Sequence, residues 1–92
     1  MNNGENLIWP RDVFTRFEVA RLIGARALQI ALGAPLLVET KKKLTPIELA
    51  KLEFKRRIVP ITVKRPLPDG SEIVIDAKRA TDNWLKKHGE EI

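Results

Sequence analysis

Cysteine is absent from this chain, and so are tyrosine and any long apolar run. Without cysteine, neither a disulfide framework nor a thiolate metal site can form. No apolar stretch approaches the roughly 18 residues that a membrane-spanning helix needs, and the first residues lack the basic-then-apolar pattern of a secretory signal. We therefore expect a soluble, unprocessed, cytoplasmic protein with no membrane association.

Groups that catalyse reactions or bind metals are also scarce. The single histidine, His88, lies in a polar segment near the end of the sequence, where we expect it to be solvated. Metal-ligand spacings and glycine-rich phosphate loops are missing, and Asp69-Gly70 is typical of a turn rather than a cation site. The sequence therefore predicts no catalytic residues, no metal and no cofactor.

The composition that remains is that of a small globular protein. Hydrophobic residues make up 43% of the 92 residues and charged residues 32%, which predicts one domain with a small aliphatic core. The 17 Lys and Arg exceed the 12 Asp and Glu by five, which favours an acidic partner or a polyanion. The basic residues form no stripe with interleaved aromatics, so a free-standing nucleic-acid-binding protein is the alternative rather than the leading hypothesis.

Two helices carry clear start signals. Thr15 and Glu18 form the T-x-x-E pattern of a capping box, and Gly33 followed by Pro35 predicts the end of this helix near residue 32, after about 17 residues. The pattern recurs from residue 45 to 48, with proline at the first helical position, and predicts a second helix that ends near residue 57. Its expected apolar face comprises Ile47, Ala50, Phe54 and Ile58.

After residue 58 the apolar period changes from that of a helix to that of a strand. Pro60 indicates an edge or an entry, and Asp69-Gly70 joins two short strands into a hairpin. We predict an α+β fold with two capped helices followed by a β-hairpin, in a core of residues 13–77. Residues 1–12 form an arm that is either an exposed tail or is anchored to a partner by Trp9, and residues 78–92 form a tail that is either a short helix from 82 to 88 or disordered.

The first helix has apolar or small residues around more than half of its circumference. Small residues at 20, 24, 27 and 31 form a stripe, flanked by apolar residues at 19, 23 and 30 on one side and by 17 and 28 on the other. Leu22 falls on the expected solvent side with Glu18 and Gln29, while Arg21 and Arg26 flank the apolar arc. Either the second helix and the hairpin cover this arc, or another protein does.

Three blocks of sequence resemble one family. They are TRFEVARLIGARALQIALGAP at 15–35, PIELAKLEFKR at 46–56 and VPITVKRPLPDG at 59–70, and together they resemble the small DNA-directed RNA polymerase subunits called K in archaea and omega in bacteria. Bacterial omega resembles only the first block, whereas the hairpin block is similar to the archaeal and eukaryotic proteins. The arm before residue 11 and the tail from residue 78 lie outside the resemblance.

The resemblance implies a noncatalytic assembly subunit of the transcription enzyme. Family members clamp the C-terminal part of the largest subunit and promote assembly and stability near the base of the stalk, so DNA is contacted only indirectly. Gly24 and Ala27 are expected to allow close backbone approach, Arg21 and Arg26 to bond to the partner, and Gly33 to end the helix. The full set of expected partner-binding residues is Arg16, Glu18, Arg21, Gly24, Arg26, Ala27, Gln29, Pro35, Pro60, Arg65, Pro68 and Gly70.

Overall fold

The computed structural model describes residues 10–58 and 60–89. Within them, three helices and a two-stranded antiparallel sheet follow one another as α1 (Arg16–Ala31), α2 (Pro46–Lys55), β1 (Lys64–Pro66), β2 (Glu72–Val74) and α3 (Ala77–His88). The predicted α+β class, with two capped helices followed by a hairpin, is confirmed. The prediction for Trp9 lies outside the described residues, as do positions 59 and 90–92.

Both ends of α1 form as the sequence predicts. The Thr15 hydroxyl accepts a hydrogen bond from the Glu18 N–H at 3.1 Å, and the Glu18 carboxylate accepts one from the Thr15 N–H at 2.8 Å. At the other end Gly33 has φ of +101°, and the N–H of Ala34 donates to the carbonyl of Gln29 at 2.9 Å. This is the Schellman geometry, which favours glycine because a residue without a Cβ atom adopts a positive φ at little cost.

The second helix begins at the predicted capping box and ends at Lys55, close to the predicted end near residue 57. Thr45 and Glu48 exchange hydrogen bonds of 2.9 and 3.3 Å between side chain and backbone. Past the helix end Arg57 has φ of +60°, and the N–H of Ile58 donates to the carbonyl of Glu53 at 3.0 Å. An arginine therefore occupies the left-handed position that glycine usually takes, and the half-buried Ile58 follows it.

The buried face of α2 differs in part from the predicted one. Ala50 and Phe54 are buried as expected, but Leu49 and the carboxylate residue Glu53 complete the buried set. Ile47 is 47% exposed. It lies in the first turn at the margin of this face, so that its inclusion in the predicted apolar face is wrong.

The hairpin is short and has a tight turn. Arg65 pairs with Ile73 at the centre of the two strands, and the N–H of Gly70 donates to the carbonyl of Leu67 at 3.0 Å. Gly70 has φ of +91°, as expected for a turn followed by one left-handed residue. Asp69 and Gly70 thus make the turn that the sequence indicates.

A small aliphatic and phenylalanine core lies where α1 packs on α2 and where the hairpin and α3 meet them. The rings of Phe14 and Phe54 lie 6.4 Å apart between their centroids. Ile75, directly after β2, and Ala80 of α3 close the core from the C-terminal side. Its buried members are Phe14, Val19, Leu22, Ile23, Ala27, Ala50, Phe54, Ile75 and Ala80.

Residues 78–88 belong to a helix that starts earlier than expected. It begins at Ala77 rather than Asp82, because the Asp76 carboxylate accepts a hydrogen bond from the Arg79 N–H at 3.3 Å and caps the first turn. Aspartate is among the favoured residues at this capping position. The described part of the predicted tail is therefore ordered as α3, which crosses the predicted boundary after residue 77.

Packing and a hydrogen bond fix α3 on the rest of the fold. Ala80 is fully buried, and the Asn83 amide donates to the carbonyl of Asp12 at 2.8 Å. Trp84 and His88 stack with their ring centroids 4.1 Å apart. His88 is therefore half-buried against an aromatic ring, and the expectation of a solvated tail histidine is wrong.

Candidate partner-binding surface

One side of α1 faces the core of this chain. Val19, Leu22, Ile23 and Ala27 are buried there, and the charged residues of the same side are buried with them. The expectation that Leu22 lies on the solvent side is wrong, because Leu22 is 6% exposed and belongs to the core. The buried half of α1 is thus rotated relative to the predicted apolar arc.

The opposite side of α1 is uncovered. We call Phe17, Ala20, Gly24, Leu28 and Ala31 the outer face of α1. Phe17 is 72% exposed and Leu28 is 61% exposed, and the three small residues of this face are exposed as well. An apolar and small-residue surface of this kind is typical of a face that another protein covers.

The small-residue stripe of α1 is divided between the two sides. Ala27 is 7% exposed and belongs to the core, whereas Ala20, Gly24 and Ala31 face outwards. A Cβ atom added to Gly24 would meet nothing within 4 Å. No packing within the described residues therefore requires glycine at position 24, although glycine in a helix costs about 0.5–1 kcal/mol relative to alanine.

Glu18 is held by the hairpin as well as by its own helix cap. Arg65 of β1 donates from Nε and Nη2 to the two Glu18 carboxylate oxygens, each at 2.8 Å. The same guanidinium donates to the carbonyls of Pro10 at 3.0 Å and Val13 at 2.9 Å. One arginine thus joins β1, α1 and the segment that enters α1.

A second bidentate pair joins α1 to α2. Arg26 donates from Nε and Nη2 to the carboxylate of Glu53 at 2.6 and 3.0 Å. Its guanidinium also donates to the carbonyl of Pro35 at 2.8 Å and to the side-chain oxygen of Gln29 at 3.2 Å, and the Leu37 N–H donates to Glu53 at 3.1 Å. This cluster fixes the loop after α1 on the two helices.

The two carboxylates of these pairs stay ionised although they are buried. Burial by itself raises the pKa of Glu53, but hydrogen bonds from Arg26 and Leu37 and the charge of Arg26 outweigh it, so the pKa is below its ordinary value. The pKa of Glu18 is also lowered, because Arg65 and Thr15 outweigh the effect of burial. Paired buried charges with satisfied hydrogen bonds are the form that a protein interior tolerates.

The predicted partner-binding residues therefore fall into two groups. Glu18, Arg26 and Ala27 are buried and Arg65 is half-buried, and each contacts other parts of this chain. This placement favours structural roles for them, and their contact with a partner stays a prediction. The exposed group comprises Arg16, Arg21, Gly24, Gln29, Pro35, Pro60, Pro68 and Gly70.

Sequence reasoning missed the two buried pairs and the apolar loop beyond α1. A usable signal for Glu53 was its position between Ala50 and Phe54 on the core side of α2, where a carboxylate needs a cation. Exposed apolar residues also continue past the helix end, with Leu32 79% exposed and Leu36 47% exposed. The exposed apolar surface is thus not confined to the helix.

An open groove lies between α1 and the first strand of the hairpin. It has a volume of about 1020 Å³, and we call it the α1–β1 groove. Leu22 and Ala25 line it from the helix, and residues 61–69 line it from the hairpin side. Arg21 and Lys64, which also line it, are exposed cations.

The described residues contain no three His, Asp or Glu side chains grouped as metal ligands would be. In the same part of the chain no helix is both long and apolar enough to cross a bilayer. The surface groups that the structure does bring together are apolar residues, small residues and arginines. This combination suits binding to another protein.

Comparison with known proteins gives consistent matches. A family model described as RNA polymerase Rpb6 matches residues 11–61. The DNA-directed RNA polymerase subunit Rpo6 of Pyrococcus abyssi is 58% identical over 53 residues, which is 58% of this chain and 93% of that protein. The Rpo6 subunit of Thermococcus gammatolerans is 62% identical over the same length and with the same coverage.

A eukaryotic relative matches over a smaller share of its own length. The probable DNA-directed RNA polymerases I, II, and III subunit RPABC2 of Caenorhabditis elegans is 54% identical over 57 residues, covering 62% of this chain and 42% of that protein. The family match includes all of α1 and α2 and stops before β1. With more than half of the chain matched and 93% of the archaeal relatives covered, this protein belongs to the RNA polymerase Rpb6 family.

Proposed function

We propose that this chain is a noncatalytic small subunit of a DNA-directed RNA polymerase, acting in the cytoplasm to promote assembly and stability of the enzyme. The family match and the names of the archaeal relatives support the polymerase. The chain contributes binding surface rather than chemistry, and DNA is contacted only through the complex.

The outer face of α1 is the observation that carries the binding role. Phe17 and Leu28 expose large apolar side chains on one side of the small residues. Because Gly24 has no side chain and the neighbouring Ala20 and Ala31 have only a methyl group, an opposing backbone can approach the helix closely there. Burial of this face on assembly removes apolar surface from water and stabilises the complex.

The partner on this face is the C-terminal part of the largest polymerase subunit, close to the base of the stalk. The family resemblance of the three sequence blocks supports this assignment. Arg16 and Arg21 are exposed cations on α1, and they favour carboxylates or carbonyl groups on the partner. Clamping follows from a rigid α1, whose inner side is fixed by the two Arg–Glu pairs at two points along the helix.

Copurification tests the proposal directly. A tagged form of this chain, expressed at its native level, is expected to bring down the largest polymerase subunit. Recovery of the chain alone would contradict the proposal. Binding of the isolated chain to duplex DNA or RNA, with an affinity that falls steeply with salt and with no polymerase partner, would instead favour a free-standing nucleic-acid-binding protein.

A substitution at Gly24 tests the face itself. Gly24→Leu is expected to prevent incorporation into the polymerase while leaving the free chain folded, because a side chain at position 24 meets nothing within 4 Å in this chain. Lys55→Leu is the matched control, since it also adds an exposed leucine, but on α2. Equal losses of incorporation for the two variants would contradict the assignment of the outer face.

A further inference from the structure

Among residues 10–58 and 60–89, one edge of the hairpin has backbone groups without a hydrogen-bond partner beside the α1–β1 groove. The Ile75 N–H donates to the carbonyl of Val63 at 2.8 Å, and the Leu67 N–H donates to the carbonyl of Ser71 at 2.7 Å. Backbone groups alternate in direction along an antiparallel strand. Lys64 lies between two residues that face β2, so its own N–H and carbonyl point to the open edge of β1.

Proline restricts that edge to a short length. The backbone of Pro66 faces outward like that of Lys64, but proline has no N–H group to donate. Proline is tolerated in a sheet at such edge positions, where no partner strand needs its N–H. Pro60 lies at the other end of the same stretch. Between the two prolines, the outward-facing N–H groups are therefore those of Thr62 and Lys64. An edge of this length can pair with a segment of a few residues.

The open edge forms one wall of a groove with an apolar floor. Phe17, Leu22 and Ala25 of α1 line the groove together with residues 61–66. An extended segment in this position pairs its backbone with the edge and places alternate side chains on the apolar floor. Strand addition of this kind combines backbone hydrogen bonds for affinity with side-chain contacts for specificity.

The charges of the groove favour a carboxylate on the bound segment. Arg21 and Lys64 are exposed, and neither has an ion pair within residues 10–58 and 60–89. Two carboxylates also line the groove: Glu18 is bonded to Arg65, and Asp69 accepts hydrogen bonds from Ser71. In the part of the chain that the structure describes, these two cations thus line a largely apolar groove without an ion-pair partner.

We propose that the α1–β1 groove binds a short extended segment of a neighbouring polymerase subunit, which adds as a strand to the edge of β1 at Lys64 and places a carboxylate between Arg21 and Lys64. This inference rests on the proposed function, because the segment comes from the assembled enzyme. It assigns a second contact site, on the other side of Arg21 from the outer face of α1.

A second copy of this chain is a poor occupant. Antiparallel pairing of two β1 edges about a twofold axis brings Lys64 of the two copies close together, and like charges that face each other across strands are destabilising. The prolines at both ends of the edge also shorten the ladder that two copies can form. A foreign segment with acidic residues has neither disadvantage.

Backbone hydrogen exchange in the free chain and in the reconstituted polymerase tests the proposal. The amides of Thr62 and Lys64 are expected to exchange about tenfold more slowly, or more, in the complex, while the Ile75 amide, already bonded to Val63, changes less. Unchanged exchange at both residues in a complex that does contain this chain would overturn the proposal and leave the proposed function intact. Failure of the chain to enter the complex would count against the proposed function itself.

The free chain supplies the remaining outcomes. Slow exchange of Thr62 and Lys64 that does not depend on concentration would mean that the arm of residues 1–9 occupies the groove. Exchange of these amides that becomes slower as the protein concentration rises would mean that a second copy of this chain occupies the groove. Either result overturns the proposal, which requires both amides to exchange rapidly before assembly.

Proline substitutions give a matched pair of variants. Lys64→Pro removes the N–H at the groove edge, whereas Val74→Pro removes the outward N–H of the directly opposed residue, at the far edge of the sheet. Lys64→Pro is expected to weaken incorporation about tenfold more than Val74→Pro. Equal effects would contradict the proposal, and if Lys64→Pro unfolds the free chain, the exchange measurement decides alone.

Discussion

The two sides of α1 differ in which residues they bury and which they expose. The inner side buries Glu18 and Arg26, each paired with a residue from another element. The outer side exposes Phe17 and Leu28, and neither belongs to the core of this chain. Two charged residues are therefore buried beside the apolar residues of the inner side, while two large apolar residues are exposed, and both features are unusual in a helix of a small monomeric protein.

This difference agrees with the proposed function, in which the inner side of α1 packs on the rest of this chain and the outer side binds the partner. On the inner side, two arginines with fixed bidentate geometry hold the helix against the hairpin and α2. On the outer side, small and apolar residues form an exposed surface of the kind that another protein covers. Variants that act on one side alone can separate folding from assembly.

The largest effect is expected at the buried pair of the inner side. Glu53→Leu leaves the Arg26 guanidinium buried without its carboxylate and is expected to lower the free energy of unfolding by about 3–5 kcal/mol. Urea denaturation of the free chain measures this loss. Glu39→Leu, which removes an exposed carboxylate from the loop, is the control and should leave the unfolding midpoint unchanged.

The double variant Arg26→Met with Glu53→Leu sharpens this test. Replacing both partners by apolar residues removes the unpaired charge, so most of the stability lost in the single variant should return. A double variant as unstable as the single one would show that the hydrogen bonds to Pro35 and Leu37, rather than the unpaired charge, account for the effect.

Acid should weaken the inner side. The pKa values of Glu18 and Glu53 are lowered by folding, so the stability that they contribute is complete above the ordinary carboxyl pKa and is lost as pH falls through the folded values. The melting temperature of the free chain is therefore expected to fall between about pH 5 and pH 3. Glu53→Gln should flatten this profile, whereas Leu28→Ser, on the outer side, should leave its slope unchanged.

The sequence predicted what is set by residues close together in the chain. Thr15 with Glu18 and Asp69 with Gly70 act within a few residues, and both the capping box and the turn formed where they were expected. The start of α3 was missed although it is also local. Asp76 is followed three residues on by Arg79 rather than by a glutamate, so the capping-box pattern that marked the first two helices is absent.

The orientation of α1 could not be predicted, for a physical reason. Apolar and small residues occur on both sides of the helix, so periodicity alone does not decide which side the rest of the chain covers. That choice depends on Glu18 meeting Arg65, 47 residues away, and on Arg26 meeting Glu53, 27 residues away. Pairings over such separations follow from the fold and leave no local signal.

A smaller effect, of opposite sign, is expected on the outer side. Gly24→Ala should raise the free energy of unfolding of the free chain by about 0.5–1 kcal/mol, because alanine restricts the unfolded chain and meets nothing in the folded one. Thermal or urea unfolding measures this, with Ala20→Gly as the reverse substitution on the same face. Destabilisation by Gly24→Ala would show that some part of the chain packs on the outer face.

The smallest effect on the free chain is expected from Leu28→Ser. Leu28 is 61% exposed, so its loss should change the free energy of unfolding by no more than about 0.5 kcal/mol. Leu22→Ser is the matched control, because Leu22 is 6% exposed on the same helix and its substitution should cost about 3 kcal/mol or more. Incorporation into the polymerase should not follow the stability of the free chain. Leu28→Ser is expected to weaken incorporation although the free subunit is as stable as before. A Leu28→Ser chain that enters the complex normally would show that the outer face of α1 stays in solvent there, and the difference between the two sides would then concern folding alone.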